Sequence, residues 1–178
     1  MPRPIVLVGL MGVGKTTVGR ALAESIGYRF IDNDAGIEAE YDATGAELAE
    51  RLGVDGLHRL EAAQLANALG SFGAEPIVIA AAASVVEDEA SRSLLDDHPV
   101  VWLDASPAYL ADRLGRDHHR RSLGPDPQDA LSRQSEERRG PFAAIADVTV
   151  AVEGRSRQSI VEEIVHRLTS TATPATDG

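Results

Sequence analysis

Gly9, Gly14, Lys15 and Thr16 occupy the four fixed places of the pattern G-x-x-x-x-G-K-[ST] in the segment GLMGVGKTT, residues 9–17. A short β-branched run, Ile5 to Val8, leads into this segment, and a helical pattern from Val18 to Ile26 follows it. Strand, glycine turn and helix in that order present backbone N–H groups to one side and add the positive end of a helix dipole, which together make a pocket for polyphosphate. Lys15 then reaches the outer phosphates, and the Thr16 hydroxyl is placed to ligate Mg²⁺. Gly12 is a further residue that takes positive φ without strain. The expected nucleotide-binding set in the loop is Gly12, Val13, Gly14, Lys15, Thr16 and Thr17. Lys15 is the only lysine among 17 basic residues, so the chain keeps its one ammonium where a compact point charge is useful.

A phosphate pocket alone does not say what is done with the nucleotide. Asp32-Asn33-Asp34 ends a second short apolar run, Tyr28 to Ile31. Two carboxylates two residues apart at a strand end point to the same side, beside the phosphate loop if that strand neighbours the first. Asp32 can then help hold hydrated Mg²⁺, and Asp34 can accept a proton or hydrogen bond from an acceptor hydroxyl. The competing reading is that one of them merely caps the next helix. Arginines supply the other half of phosphoryl-transfer chemistry, because charge spreads over the transferring oxygens. This acidic chain gathers Arg113, Arg116, Arg120 and Arg121, then Arg133, Arg138 and Arg139. They suggest an anion-facing lid, or else a solvated helix face paired with Asp112, Asp117, Glu136 and Glu137. His118 and His119 read as exposed loop residues.

Positioning these groups requires a parallel sheet. Apolar runs at Pro4–Leu10, Tyr28–Ile31, Pro76–Ala81, Pro99–Asp104 and Asp147–Val152 read as five strands. The first of them is apolar throughout, as a strand buried on both faces should be. Helical patterns separate them: Lys15 to Ile26, ended by Gly27; two or three short helices between Ile37 and Leu69, broken at Thr44-Gly45 and Gly53 to Gly56; Glu87 to Asp96; a helix opened by Ser106-Pro107; Pro127 to Arg138; and Ser156 to Leu168. Strands alternating with helices predict a three-layer α/β/α fold on a five-stranded parallel sheet. Residues 1–169 form one domain in this reading. A polar, proline-containing lid is expected at about 116–127, and the small polar stretch 170–178 reads as a disordered tail.

Composition excludes several classes. At 178 residues with 43% hydrophobic content the chain can bury a full core. A net charge of −11 argues against a basic nucleic-acid or membrane-binding face. The absence of cysteine rules out disulfides and thiol catalysis. No run of apolar residues is long enough to span a bilayer, and the first apolar run meets the glycine loop at once, unlike a signal peptide. A cytoplasmic monomer acting on a small molecule is expected, since no long apolar stripe calls for a partner.

The chain resembles the shikimate kinase family, small P-loop kinases of the nucleoside-monophosphate-kinase type, over roughly residues 4–168. The resemblance rests on GLMGVGKTTVGR (9–20), Phe30-Ile-Asp-Asn-Asp34 followed by Ile37-Glu38, the region of Arg59 and Glu61, Val101-Trp-Leu103, and Arg139-Gly-Pro-Phe142 followed by Ala146-Asp147. It implies ATP as co-substrate with Mg²⁺, Asp32 near the metal, Asp34 on the acceptor hydroxyls, Arg113 against adenine, Arg120 over the phosphates as a catalytic cation, and Arg139 on the acceptor's carboxylate. Three places depart from the family. Leu57-His58 stands where a Phe-Arg pair grips the carboxylate, Ala82-Ala83-Ser84 where three glycines follow the third strand, and Arg120-Arg121 where the lid has Arg-Pro. His58 and Ala83 therefore become the altered acceptor-binding candidates. Losing a bidentate arginine–carboxylate contact costs about 1.5–3 kcal/mol, and three added side chains are expected to fill space that glycine leaves open. The nucleotide half is kept and the acceptor half is changed. Three readings follow: phosphorylation of shikimate or a related hydroxy acid, phosphorylation of another cyclitol or sugar acid, or a nucleotide-binding regulatory module without acceptor catalysis.

Overall fold

Ile5–Val8 form β1, and all four residues are buried, because helices cover both faces of the sheet around them. Their neighbours in the sheet are equally apolar: β3 (Ile77–Ala80) is fully buried and β4 (Val100–Asp104) is buried except for its last residue. The edges differ, as edges should. β5 (Val148–Ala151) alternates buried and exposed residues, and β2 (Arg29–Asp32) is partly open throughout. All pairings are parallel and the order is β2-β3-β1-β4-β5. Val6 in the central strand sits opposite Ile79 on one side and Val100 on the other. The five-stranded α/β sheet expected from the sequence is therefore present. The computed structural model describes residues 3–71, 73, 75–115 and 126–171.

One positional expectation is corrected. β2 does not neighbour β1; β3 lies between them. The first crossover, through α1 (Lys15–Ile26), passes over one sheet position, and the chain returns through three helices to fill it. β4 then pairs with the other side of β1, so the strand order switches direction at β1 itself. Ligands of open α/β sheets sit outside the carboxyl ends of the strands at such a switch.

The three helices are α2 (Asn33–Tyr41), α3 (Gly45–Leu52) and α4 (Val54–Ser71). The first predicted break is where it occurs, and the second is shorter than expected: it is Gly53 alone, with Val54 to Gly56 already in α4. Thr44 opens α3 through a capping box with Glu47, and Gly53, at φ 75°, closes it. This arm has its own small apolar cluster of Ile37, Ala43, Leu48 and Leu57, apart from the main core on the sheet.

Three boundaries differ from expectation. A 3-10 turn at Ala83–Val86 precedes α5 (Glu89–Leu95), whose N-cap is Asp88 rather than a helix start at Glu87. Side-chain and backbone hydrogen bonds from Ser91 hold the Asp88 carboxyl below its usual range. α6 spans Pro107–Gly115, and the Tyr109 N–H donates to Ser106 Oγ at its start. α7 (Pro127–Ile145) does not stop at Arg138 but runs through Pro141. An internal proline costs about 3 kcal/mol in a helix; here Phe142, 1% exposed and stacked on Trp102 at 5.7 Å, holds the continuation against the sheet. α8 (Arg157–Thr171) takes in Ser170 and Thr171, two residues assigned by sequence to the tail; Ser170 Oγ donates back to the His166 carbonyl. Residues 172–178 and the lid residues 116–125 lie outside the described residues. Among the described residues, no helix is long and apolar enough to cross a membrane.

Candidate active site

The phosphate loop is shaped by three glycines. Gly9, Gly12 and Gly14 have φ of 145°, 82° and 105°, values an L side chain resists. Gly9 also passes close to β4, where a Cβ would lie 2.5 Å from the Leu103 carbonyl oxygen. Val13, 2% exposed, pins the middle of the loop into the core. Gly14 is the N-cap of α1, so the first turn of that helix faces the loop's concavity. Lys15 Nζ reaches back across the loop and donates to the Gly9 and Leu10 carbonyls at 2.8 and 3.3 Å. That holds the ammonium over the place where phosphate oxygens would compete for it. Thr17 is exposed one residue beyond Thr16 on the same first turn.

Thr16 Oγ1 donates to Asp32 Oδ2 at 2.6 Å. The two groups meet although β3 separates their strands, because α1 packs across β2 and β3. Asp32 Oδ1 meanwhile accepts from the Ala35 N–H and is the N-cap of α2. Capping and closeness to the phosphate loop are thus both true of one carboxylate. Two hard oxygen groups at this spacing suit Mg²⁺, which takes its remaining ligands from phosphate and water. Asp34 is placed differently from the sequence expectation. β2 ends at Asp32 and α2 begins at Asn33, so Asp34 is an exposed residue in the first helical turn, not a second strand-end carboxylate.

Over the loop lies the end of α6. A Cβ on Gly14 would be 3.8 Å from the Arg113 guanidinium, which lies over the Tyr109 ring at 5.7 Å. Arg113 therefore stands beside the nucleotide loop. Arg120 falls outside the described residues.

Around α4, the 3-10 turn and α7 lie side-chain pairs that sequence reading did not find. Asn33, fully buried, donates from Nδ2 to the Glu61 carbonyl and ties α2 to α4. Ser84 Oγ donates to the buried Glu61 carboxylate. His58 lies one turn before Glu61 on α4, and its Nδ1 is 3.2 Å from Glu87 Oε2. The other Glu87 oxygen accepts from Arg138 Nε at 2.6 Å. Arg139 turns elsewhere: its guanidinium forks onto Asp104 at 3.2 and 3.0 Å and lies 5.2 Å over the Trp102 ring. The structure thus brings His58 together with Arg138, not with Arg139. The Ala82-Ala83-Ser84 turn also fills less open space than expected. Ala82 and Ser84 are buried, and only Ala83 remains partly exposed. Ala82 has φ −61°, so the turn makes no demand for glycine.

A loop that cradles polyphosphate at one strand end, with a carboxylate nearby that can take a hydroxyl's proton, is machinery for moving a phosphoryl group to an alcohol. The class is a P-loop small-molecule kinase. The chain matches the shikimate kinase family profile over residues 11–169. It is 40% identical over 167 residues to a shikimate kinase of Symbiobacterium thermophilum, covering 92% of this chain and 95% of that one. A solved structure of the Acinetobacter baumannii shikimate kinase in complex with shikimate superimposes with a TM-score of 0.89 at 27% identity, covering 98% and 97% of the two chains. A gluconokinase from Sinorhizobium meliloti is more distant in shape, with a TM-score of 0.65 at 28% identity and 96% and 94% coverage. The chain belongs to the shikimate kinase family, and it is an ATP-dependent kinase that phosphorylates a hydroxyl group.

Proposed function

We propose that this protein transfers the γ-phosphoryl group of ATP, bound with Mg²⁺, to a hydroxyl of shikimate or a hydroxylated carboxylic acid of similar size. The observation that carries this reading is the Thr16–Asp32 contact at 2.6 Å, which puts the helix bearing Asp34 beside the phosphate loop. The loop N–H groups and Lys15 bind the phosphates and stabilise the charge that develops on them. Thr16 and Asp32 would hold the Mg²⁺, whose chemistry is to neutralise the phosphate oxygens. Asp34 orients the acceptor hydroxyl and takes its proton. Arg113 packs against the adenine, Arg120 closes over the phosphates, and Arg139 exchanges Asp104 for the acceptor's carboxylate. His58 and Ala83 line the acceptor's other side. The protein acts as a cytoplasmic monomer of one domain, residues 1–169, with the lid at about 116–127.

A second reading, a different cyclitol or a sugar acid as acceptor, is favoured by His58 standing paired with Glu87. ADP release with MgATP and a panel of shikimate, gluconate and neutral cyclitols decides between them, with His58→Arg run beside the wild type. Turnover on shikimate establishes the first reading, and turnover confined to another polyol establishes the second. No ADP above background with any of these acceptors would overturn both readings of the acceptor. A sedimentation measurement that returns a dimer mass would remove the monomer.

A further inference from the structure

We propose that Asn33 is a positioning residue for Asp34: its buried carboxamide fixes the first turn of α2 on α4 and so sets where the proton-accepting carboxylate stands beside the phosphate loop. This rests on the role given to Asp34 above. Asn33 is fully buried between Asp32, which caps α2, and Asp34, which is exposed. Successive helical residues lie about 100° apart, so a side chain held against α4 fixes the direction of the next one. The holding bond runs from Asn33 Nδ2 to the Glu61 carbonyl at 2.9 Å. Glu61 stands where α4 passes from the arm's cluster, at Leu57, to the main core, at Leu65. Its carboxylate accepts from Ser84 Oγ in the turn after β3, and β3 pairs with β2 so that Ala80 lies opposite Asp32. Asn33 is therefore tied to a point that is itself tied to the sheet. One turn further along both helices the seam is again close: a Cβ on Gly36 would lie 2.6 Å from Gln64 Nε2. Asn33 Oδ1, by contrast, is buried with no partner among the described residues. A buried carboxamide with one end unmatched gives back part of the stability its other bond gains, so the bond is better explained by what it positions. The nucleotide end does not depend on it, because Thr16 and Asp32 meet through a hydrogen bond of their own.

The test is a double-mutant cycle on kcat, read as ADP release at saturating MgATP with shikimate, or with the acceptor of the panel that is turned over. Asn33→Leu nearly keeps the volume and removes the donor. Asn33→Ala removes the donor without filling the site, and carries the cycle should the leucine variant fail to fold. Either change is expected to lower kcat about tenfold to a hundredfold, with MgATP affinity, measured by titration, altered less than about twofold. In an Asp34→Asn background the same change should lower kcat by less than about twofold, because the group it positions has already lost its function. A loss that multiplies undiminished in both backgrounds would reduce Asn33 to a structural role and overturn the proposal. Full turnover in the single variants would overturn it too, as would a fall in MgATP affinity that matches the fall in kcat. These outcomes leave the transfer reading standing, whereas no turnover by the wild type on any acceptor would overturn that reading and this proposal with it.

Discussion

The two ends of the site are made of different materials. The nucleotide end is backbone: three positive-φ glycines, a helix N-terminus and one lysine folded over its own loop. The proposed acceptor end is side chain against side chain, with partners drawn from α4, the 3-10 turn and α7. The packing beneath them differs too. The loop rests on the large core around β1, β3 and β4, whereas the acceptor arm has the four-residue cluster of its own. A backbone site tolerates little change, since each substitution strains φ or blocks a phosphate. A site of side-chain pairs can be re-paired one residue at a time, as a single carboxylate, Glu87, that pairs with both His58 and Arg138 illustrates.

If that division is right, the deepest break should come from the carboxylate where the two ends meet. Asp34→Asn keeps the helix start and its size but loses the proton acceptor. We expect kcat to fall about a thousandfold with ATP affinity unchanged within twofold, measured by ADP release and by nucleotide titration. Full turnover in the variant would remove Asp34 from the chemistry. Lys15→Met is next, with kcat lower by about a hundredfold to a thousandfold and, unlike Asp34→Asn, weaker ATP binding as well. Equal ATP binding in the two variants would blur the line between the ends.

The same division explains what could be read in the sequence. Phosphate-loop geometry is local: the residues that define it are consecutive, and glycine at fixed spacing has few other uses. The strands were legible because Ile5–Val8, Ile77–Ala80 and Val100–Leu103 are unbroken apolar runs. Their order was not, because crossover length permits a skipped position; the structure inserts β3 between β1 and β2. Sequence places Asp34 at a strand end beside Asp32 because nothing local marks Asn33 as a buried helical residue tied to Glu61, 28 positions away. Arg138 and Glu87 are 51 residues apart, and each looks like an ordinary surface charge in its own neighbourhood. Pro141 signals a helix end, yet the stacking of Phe142 on Trp102 overrides it. Local rules located the end of the site made of backbone; the end made of tertiary pairs needed the fold.

Stability offers a sharper cut. Leu22 is fully buried in the main core and Leu57, 2% exposed, is in the small cluster. Either leucine changed to alanine should cost about 2–5 kcal/mol at its own site. The routes should differ. Leu22→Ala should lower the global unfolding free energy by the full amount, whereas Leu57→Ala should act first on α2–α4, with faster amide exchange there and a raised acceptor KM while ATP affinity holds. Uniform exchange protection across the chain in Leu57→Ala would mean that the arm and the sheet unfold as one unit.

The smallest effect is expected away from both ends, on α8. Arg155 hydrogen-bonds the Glu163 carboxylate at 2.5 Å, and Arg167 approaches it at 3.4 Å. The Arg155 hydrogen bond, then its charge and that of Arg167, outweigh partial burial and hold the Glu163 carboxyl below its usual range. A carboxyl depressed in the folded state stabilises the protein fully above its unfolded value, about 4.3, and loses that contribution as pH falls through the folded value. The side chain is 33% exposed, so screening limits the gain. Glu163→Gln should therefore cost about 0.5–1 kcal/mol at pH 7, and the gap between variant and wild type should close as urea titrations are carried down in pH from 5 toward 3. A gap that widened on acidification would reverse the sign of the linkage and place the stabilisation in the protonated form. Neither KM should move, because α8 packs on α1 and β5 and contributes no side chain to either end of the site.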